Sequence, residues 1–161
     1  MNITQEQLEQ DILTWITEFV EVPQAALGGW SPCPYARKAR LEGAYEVRIG
    51  TTLLKDLMTV GHDGMGGREV IVFAYDPEQY VRDQFALDLE FCNNVYLLPN
   101  NILALEDHPA DPEIVNGVCM NQGKYALALV QSLSDLDEKA AAMARKGFYD
   151  TWPEDYLKML F

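Results

Sequence analysis

Cys33 stands between two prolines in residues 28–40, GGWSPCPYARKAR, and Arg37, Lys38 and Arg40 follow it with no Asp or Glu in the stretch. Pro34 suits the first position of a short helix over 34–42, closed by Gly43. Cys33 would then be the N-cap, and Arg37 would lie one turn along the same face. Backbone N–H groups at a helix start favour negative charge, and nearby cations add to that field. A cysteine so placed is expected to be partly thiolate and able to act as a nucleophile or redox thiol. Without covalent chemistry, the same cluster would hold a small carboxylate or phosphate. Arg37 would grip it in two-point fashion, Lys38 would add a mobile charge, and Arg40 would strengthen the field. Packing offers the bland alternative: a buried cysteine as a small hydrophobe, and basic residues solvated or paired elsewhere.

The second set lies in residues 107–124, DHPADPEIVNGVCMNQGK. His108 is one of two histidines, and its ordinary pKa suits a general acid or base. Asp107 precedes it on a predicted strand, where adjacent side chains point to opposite faces, so no Asp–His pair is implied. Asn116, Asn121, Gln122 and Lys124 offer amide and ammonium groups to a ligand. A loop of this length with no regular pattern commonly carries function, and ligands of α/β sheets bind at strand ends. Ordinary turn chemistry explains the same residues, Asn116-Gly117 above all.

The stretch SPCPYARKARLEGAYEVRIG resembles the Cys-Pro-Phe-Ala-Lys segment of an uncharacterised bacterial family, which also follows an N-terminal helix and precedes a strand. Cys33, Pro34 and Ala36 match; Tyr35 replaces Phe and Arg37 replaces Lys. DHPADP is similar to a His-Pro-Asp segment of that family. The resemblance implies an α/β domain that uses the Cys-Pro corner, and it brings no activity with it.

Other signals are weaker. GHDGMGG (61–67) lacks the Lys-Ser/Thr of a phosphate loop and precedes a strand, so it reads as a flexible connection. No Cys-x-x-Cys or His-x-x-x-His fixes two metal ligands, and no cofactor fingerprint is present, so neither a metal nor a cofactor is expected. The C-terminal aromatics Phe148, Trp152, Tyr156 and Phe161 would dock on the chain's own core or form a homodimer contact.

The elements that must position these residues follow from periodicity. Residues 4–21 form an amphipathic helix with Thr4 and Gln7 as a capping box. Strands are predicted at 44–50, 68–75, 101–107 and 124–131, and helices at 51–60, 76–93, 134–147 and 151–160. Ser134 would cap the first of the last two helices. Cys92 falls on the inner stripe of the helix over 76–93. The whole chain, 1–161, reads as a single α/β (or α+β) domain, a four-stranded mixed sheet with packed helices and the N-terminal helix. Whether helices cover one face of the sheet or both stays open.

A formal charge of −13, from 25 acidic and 12 basic residues, argues against nucleic-acid and anionic membrane partners. No signal peptide or apolar run of membrane length appears, and three cysteines make no disulfide framework, so a cytoplasmic location is expected. Three functions remain. One is a cysteine-dependent enzyme acting on a small anionic substrate, with Cys33 and His108 catalytic. Another is a non-catalytic module binding a small anionic metabolite. The third is an acidic accessory protein that meets a basic partner.

Overall fold

The computed structural model describes residues 1–160; Phe161, expected in the C-terminal aromatic cluster, lies outside the described residues. Helix α1 (Gln5–Trp15) begins where Thr4 Oγ1 accepts the Gln7 N–H at 3.1 Å. The capping box is half-made, because the Gln7 side chain donates to Asp11 (2.8 Å) and does not return to the cap. The helix widens into a π turn at Ile16–Val20, where the Glu21 N–H reaches the Ile16 carbonyl at 3.0 Å. Next come α2 (Ala36–Leu41), β1 (Tyr45–Ile49), α3 (Leu53–Asp63), β2 (Val70–Tyr75) and α4 (Arg82–Cys92). A second π turn, Asn93–Leu97, and a 3-10 turn, Leu98–Asn100, lead into β3 (Ile102–Asp107). A short hairpin of β4 (Ile114–Val115) and β5 (Val118–Cys119) precedes β6 (Ala126–Ser132), α5 (Leu133–Arg145) and α6 (Glu154–Leu160).

Three expectations are corrected here. Helix α3 runs three residues past 60, so His62 and Asp63 sit on its last turn rather than in a loop. Ser132, not Ser134, caps α5, its side chain accepting the Asp135 N–H. The segment 108–123 is not without regular structure. Asn116 and Gly117, both with positive φ (51° and 81°), turn the β4–β5 hairpin as an Asn-Gly pair does.

The fold is α/β, and the four-stranded mixed sheet has the order β1-β2-β6-β3. Strands β1 and β2 are parallel, joined through α3; β6 runs antiparallel to both β2 and β3. Helices cover both faces. On one, Ile71, Phe73 and Tyr75 of β2 and Ala128 and Val130 of β6 pack with α3 and α4 through Leu57, Phe85 and Leu89. On the other, Val47, Val72, Ala74 and Leu127 pack against Leu8 and Ile12 of α1. Alternation along each strand sends successive side chains to these two cores.

Each edge of the sheet is closed by one carboxamide side chain. On β1, Gln5 donates to the Val47 carbonyl (2.5 Å) and accepts from the Ile49 N–H (3.3 Å). On β3, Asn93 donates to the Ala104 carbonyl (3.0 Å) and accepts from its N–H (2.8 Å). Both amides stand where the backbone of a further strand would pair.

Candidate functional site

A cavity of about 400 Å³ lies on the α1 face of the sheet, beneath α5. Its floor is Val70 and Val72 of β2, Leu129 and Gln131 of β6 and Leu105 of β3. One wall is the end of α1 and its π turn, with Ile12, Trp15, Ile16, Phe19 and Val20; another is Cys33, Tyr35, Ala36 and Ala39 around α2. The roof is Leu136, Lys139, Ala140 and Met143 of α5, and Tyr149 and Trp152 close it behind.

The roof explains an oddity of α5. Its thirteen residues carry an apolar stripe, yet none of them is fully buried. Leu136, Ala140 and Met143 are spaced to pack on the sheet but face open volume instead.

Two polar atoms stand out in this apolar setting. The indole nitrogens of Trp15 and Trp152 are buried and meet no acceptor. A buried N–H without an acceptor costs about 1–3 kcal/mol. The remaining polarity lies at two ends. At one, Lys139 pairs with Glu69 (3.2 Å) and stands over the Tyr35 ring at 5.3 Å. At the other are Asp107, Glu113 and Asn121; Glu106 lies beside them, but opposite Ala128, so its side chain points to the α4 face. Val70 lies opposite Gln131 and Asp107 opposite Leu127, so the ends are four residues apart along β6, about 13 Å.

Cys33 lines this cavity, but not as the N-cap of a helix. Its N–H is taken by the Val20 carbonyl (3.1 Å), and its own carbonyl accepts from Ala36 (3.2 Å). The chain makes a turn first, and α2 starts two residues later with Tyr35 as cap. Burial pushes the Cys33 thiol above its ordinary value. The backbone N–H groups of Tyr35 and Ala36 and the Lys139 charge favour the thiolate, but burial outweighs them. The expected direction, a lowered pKa, is therefore reversed: the helix-start donors are present, and desolvation is larger.

The three cations expected around Cys33 turn elsewhere. Arg40 grips Glu21 through Nε (2.9 Å) and Nη2 (2.8 Å), Lys38 lies 4.0 Å from Glu42, and Arg37 is exposed on α2. None of them lines the cavity; Lys139 does. Nor does His108 join Cys33. It is buried on the α4 side, against Phe85 (5.7 Å between ring centres). Its Nδ1 accepts from the Ala110 N–H (3.1 Å), so Nε2 carries the proton given to the Tyr80 carbonyl (2.7 Å).

The loop residues are engaged in building the loop. Asn116 donates to the carbonyls of Ala26 (3.1 Å) and Thr151 (2.7 Å), tying three distant segments together. Asn121 accepts from Glu113 N–H (2.6 Å) and donates to Asp107 (2.9 Å), and it lines the cavity. Gln122 accepts from the N–H groups of Lys124 (2.8 Å) and Tyr125 (3.1 Å). Lys124 pairs with Asp11 (2.9 Å), which also accepts from the Tyr125 hydroxyl. Asp107 is buried among these donors, and burial raises its carboxyl above the ordinary value even so.

Sequence reasoning missed Trp15, Trp152, Gln131 and Lys139. The tryptophans did leave a signal: an indole on an apolar stripe carries an N–H that needs a partner. Of the C-terminal aromatics, Phe148 is buried against Trp30 (5.8 Å) and Trp152 (5.4 Å), and Tyr156 packs on Trp152 (5.5 Å). Among the described residues, no helix is long and apolar enough to cross a membrane. No protein-family model, curated protein or solved structure matches the chain.

Proposed function

We propose that the chain binds a small, largely apolar molecule in the cavity beneath α5. One observation carries this reading: a cavity of about 400 Å³ beneath α5, apolar on most of its surface and lined by aliphatic and aromatic side chains. Ligand sites of this size are lined mainly by apolar and aromatic side chains, with few polar groups that fix orientation. A non-catalytic binding module is the simplest function for such a site. Its ligand differs from the anion expected of the Cys33 cluster, because Arg37, Lys38 and Arg40 stand outside the lining.

The test uses Nile red, a neutral apolar dye. The wild type is expected to bind it saturably with blue-shifted emission, and Ala140→Trp, which fills the cavity from α5, is expected to abolish binding without lowering the melting temperature. Equal binding by the variant would overturn the reading.

The cysteine-dependent enzyme keeps one supporting observation, that Cys33 stands in the wall of this same cavity. Cys33→Ser separates the two readings. Unchanged dye affinity together with unchanged handling of an electrophilic ligand, such as an enone, supports the module. Loss of a covalent adduct to a bound enone supports the enzyme.

A further inference from the structure

We propose that the groove between α3 and α4, on the sheet face away from the cavity, docks a basic amphipathic helix of a partner protein. Two apolar stripes form the groove. On α3, Leu54, Met58 and Gly61 follow one another at i, i+4 and i+7, so they share one side of the helix. On α4, Leu87 and Phe91 share a side at i and i+4. The stripes meet at Gly61. A Cβ there would lie 2.4 Å from the Tyr96 carbonyl oxygen, so that side of α3 abuts the π turn after α4, and only glycine allows the approach. The Phe91 ring in turn packs edge-on against Tyr96 (5.8 Å between ring centres). The apolar surface is therefore continuous, from Leu54 and Met58 across Tyr96 to Phe91 and Leu87.

These side chains are not used by the core. Leu54 is 38% exposed, Met58 45%, Leu87 62% and Phe91 49%, whereas Leu53, Leu57, Phe85 and Leu89 of the same helices are buried against the sheet. A contiguous exposed apolar surface with a polar rim marks a protein contact. A groove between two helices takes the apolar face of a third, read through anchors one and two turns apart. Met58 suits such a contact, because its unbranched thioether adapts to the anchor laid against it.

The rim decides the partner's charge. Helix α4 carries Asp83, Asp88 and Glu90 against Arg82, which is itself paired with Asp83 at 3.2 Å. Asp83, Leu87 and Glu90 lie at i, i+4 and i+7, so carboxylates flank the apolar stripe above and below. Helix α3 adds Asp56 and Asp63 against Lys55. Lysines and arginines beside the anchors of a docking helix would meet these carboxylates, and the chain's charge of −13 steers such a partner in. A second copy fits badly. A two-fold contact would set the same acidic rim against itself, with −13 on each side. An anionic bilayer is repelled for the same reason.

The test uses three fluorescein-labelled peptides and the full chain, with binding read by anisotropy. The first is a helical Leu/Lys peptide with its leucines on one stripe, the second has Glu in place of every Lys, and the third is a scramble of the first that keeps its charge and loses its stripe. The Leu/Lys peptide is expected to bind saturably, and the other two at least about tenfold more weakly. Met58→Ser and Phe91→Ser should each weaken the Leu/Lys peptide at least about tenfold, the loss of one buried anchor. Leu41→Ser, at an exposed apolar residue of α2, should leave it unchanged. Leu87→Ser serves if Phe91→Ser disturbs Tyr96 and lowers the melting temperature. Absence of binding, equal binding of the Leu/Lys peptide and its scramble, or equal binding by wild type and the groove variants overturns the proposal. So does a wild-type dimer in sedimentation that Phe91→Ser turns into a monomer, because a second copy would then cover the groove.

Discussion

At the scale of the residue, Cys33 shows how two opposed effects are ranked. The sequence placed it near helix-start donors and cations, and the structure has the donors; burial still decides the sign of its pKa. What the sequence concealed was the depth of the site, since no pattern in GGWSPCPYARKAR reports which neighbours arrive from α5. Labelling order follows. Cys119 is exposed on the β4–β5 hairpin, Cys33 is half-buried in the cavity wall, and Cys92 is buried, its thiol pushed up to about 11 by burial and by Asp88. Brief iodoacetamide treatment followed by mass spectrometry is expected to modify Cys119 first, Cys33 more slowly and Cys92 last. A bound cavity ligand should protect Cys33 alone; modification of Cys33 ahead of Cys119 would mean that the cavity wall is open to solvent. The same contrast applies to Asn116 and Asn121. Their types were legible as hydrogen-bonding loop residues, but only the fold shows that the partners are the chain's own carbonyls.

At the scale of the element, helix existence was legible and helix ends were not. Residues 4–21 carry an unbroken apolar stripe, so nothing in it announces that α1 ends at Trp15 and widens into a π turn. Just beyond the π turn, Arg40 of α2 grips Glu21 and ties the chain leaving that turn to α2. That pair makes a pH-dependent prediction. The Arg40 guanidinium holds the Glu21 carboxyl below its ordinary value of 4.5. Stability from the pair is therefore fully present above pH 4.5 and is lost as pH falls through the lowered value. Glu21→Gln is expected to cost about 1 kcal/mol near pH 7, given a pair that is only partly exposed, and nothing once Glu21 is protonated. Urea unfolding at a series of pH values should show the two curves converging in acid. Curves that stay parallel would mean that the pair contributes nothing through charge. Asp107 and Glu106 act with the opposite sign: their raised pKa values leave the folded state holding protons that the unfolded chain has already released.

At the scale of the whole molecule, four strands in a mixed sheet were legible from alternation and from helices between them. Strand order was not, because β6 pairs with β2 and β3 across long stretches of chain. The cavity was not either, since Leu136, Ala140 and Met143 look like any helix stripe and empty volume leaves no residue pattern. The sheet closes its edges with Gln5 and Asn93, and replacing both by Ala exposes paired N–H and C=O groups on each side. The double variant is expected to lose about 1–2 kcal/mol at each edge and to associate with rising concentration, measured by light scattering. A monomeric double variant of wild-type stability would mean that water serves these edges equally well. The order β1-β2-β6-β3 also bears on how the chain is made. Strands β2 and β3 are synthesised early and never touch; each waits for residues 126–132 to come between them. At ~5–20 residues per second, that wait lasts several seconds. For that time β2 has only β1 beside it and an open second edge, and β3 has no strand partner, so the stay on the ribosome is the interval in which a chaperone has most to shield.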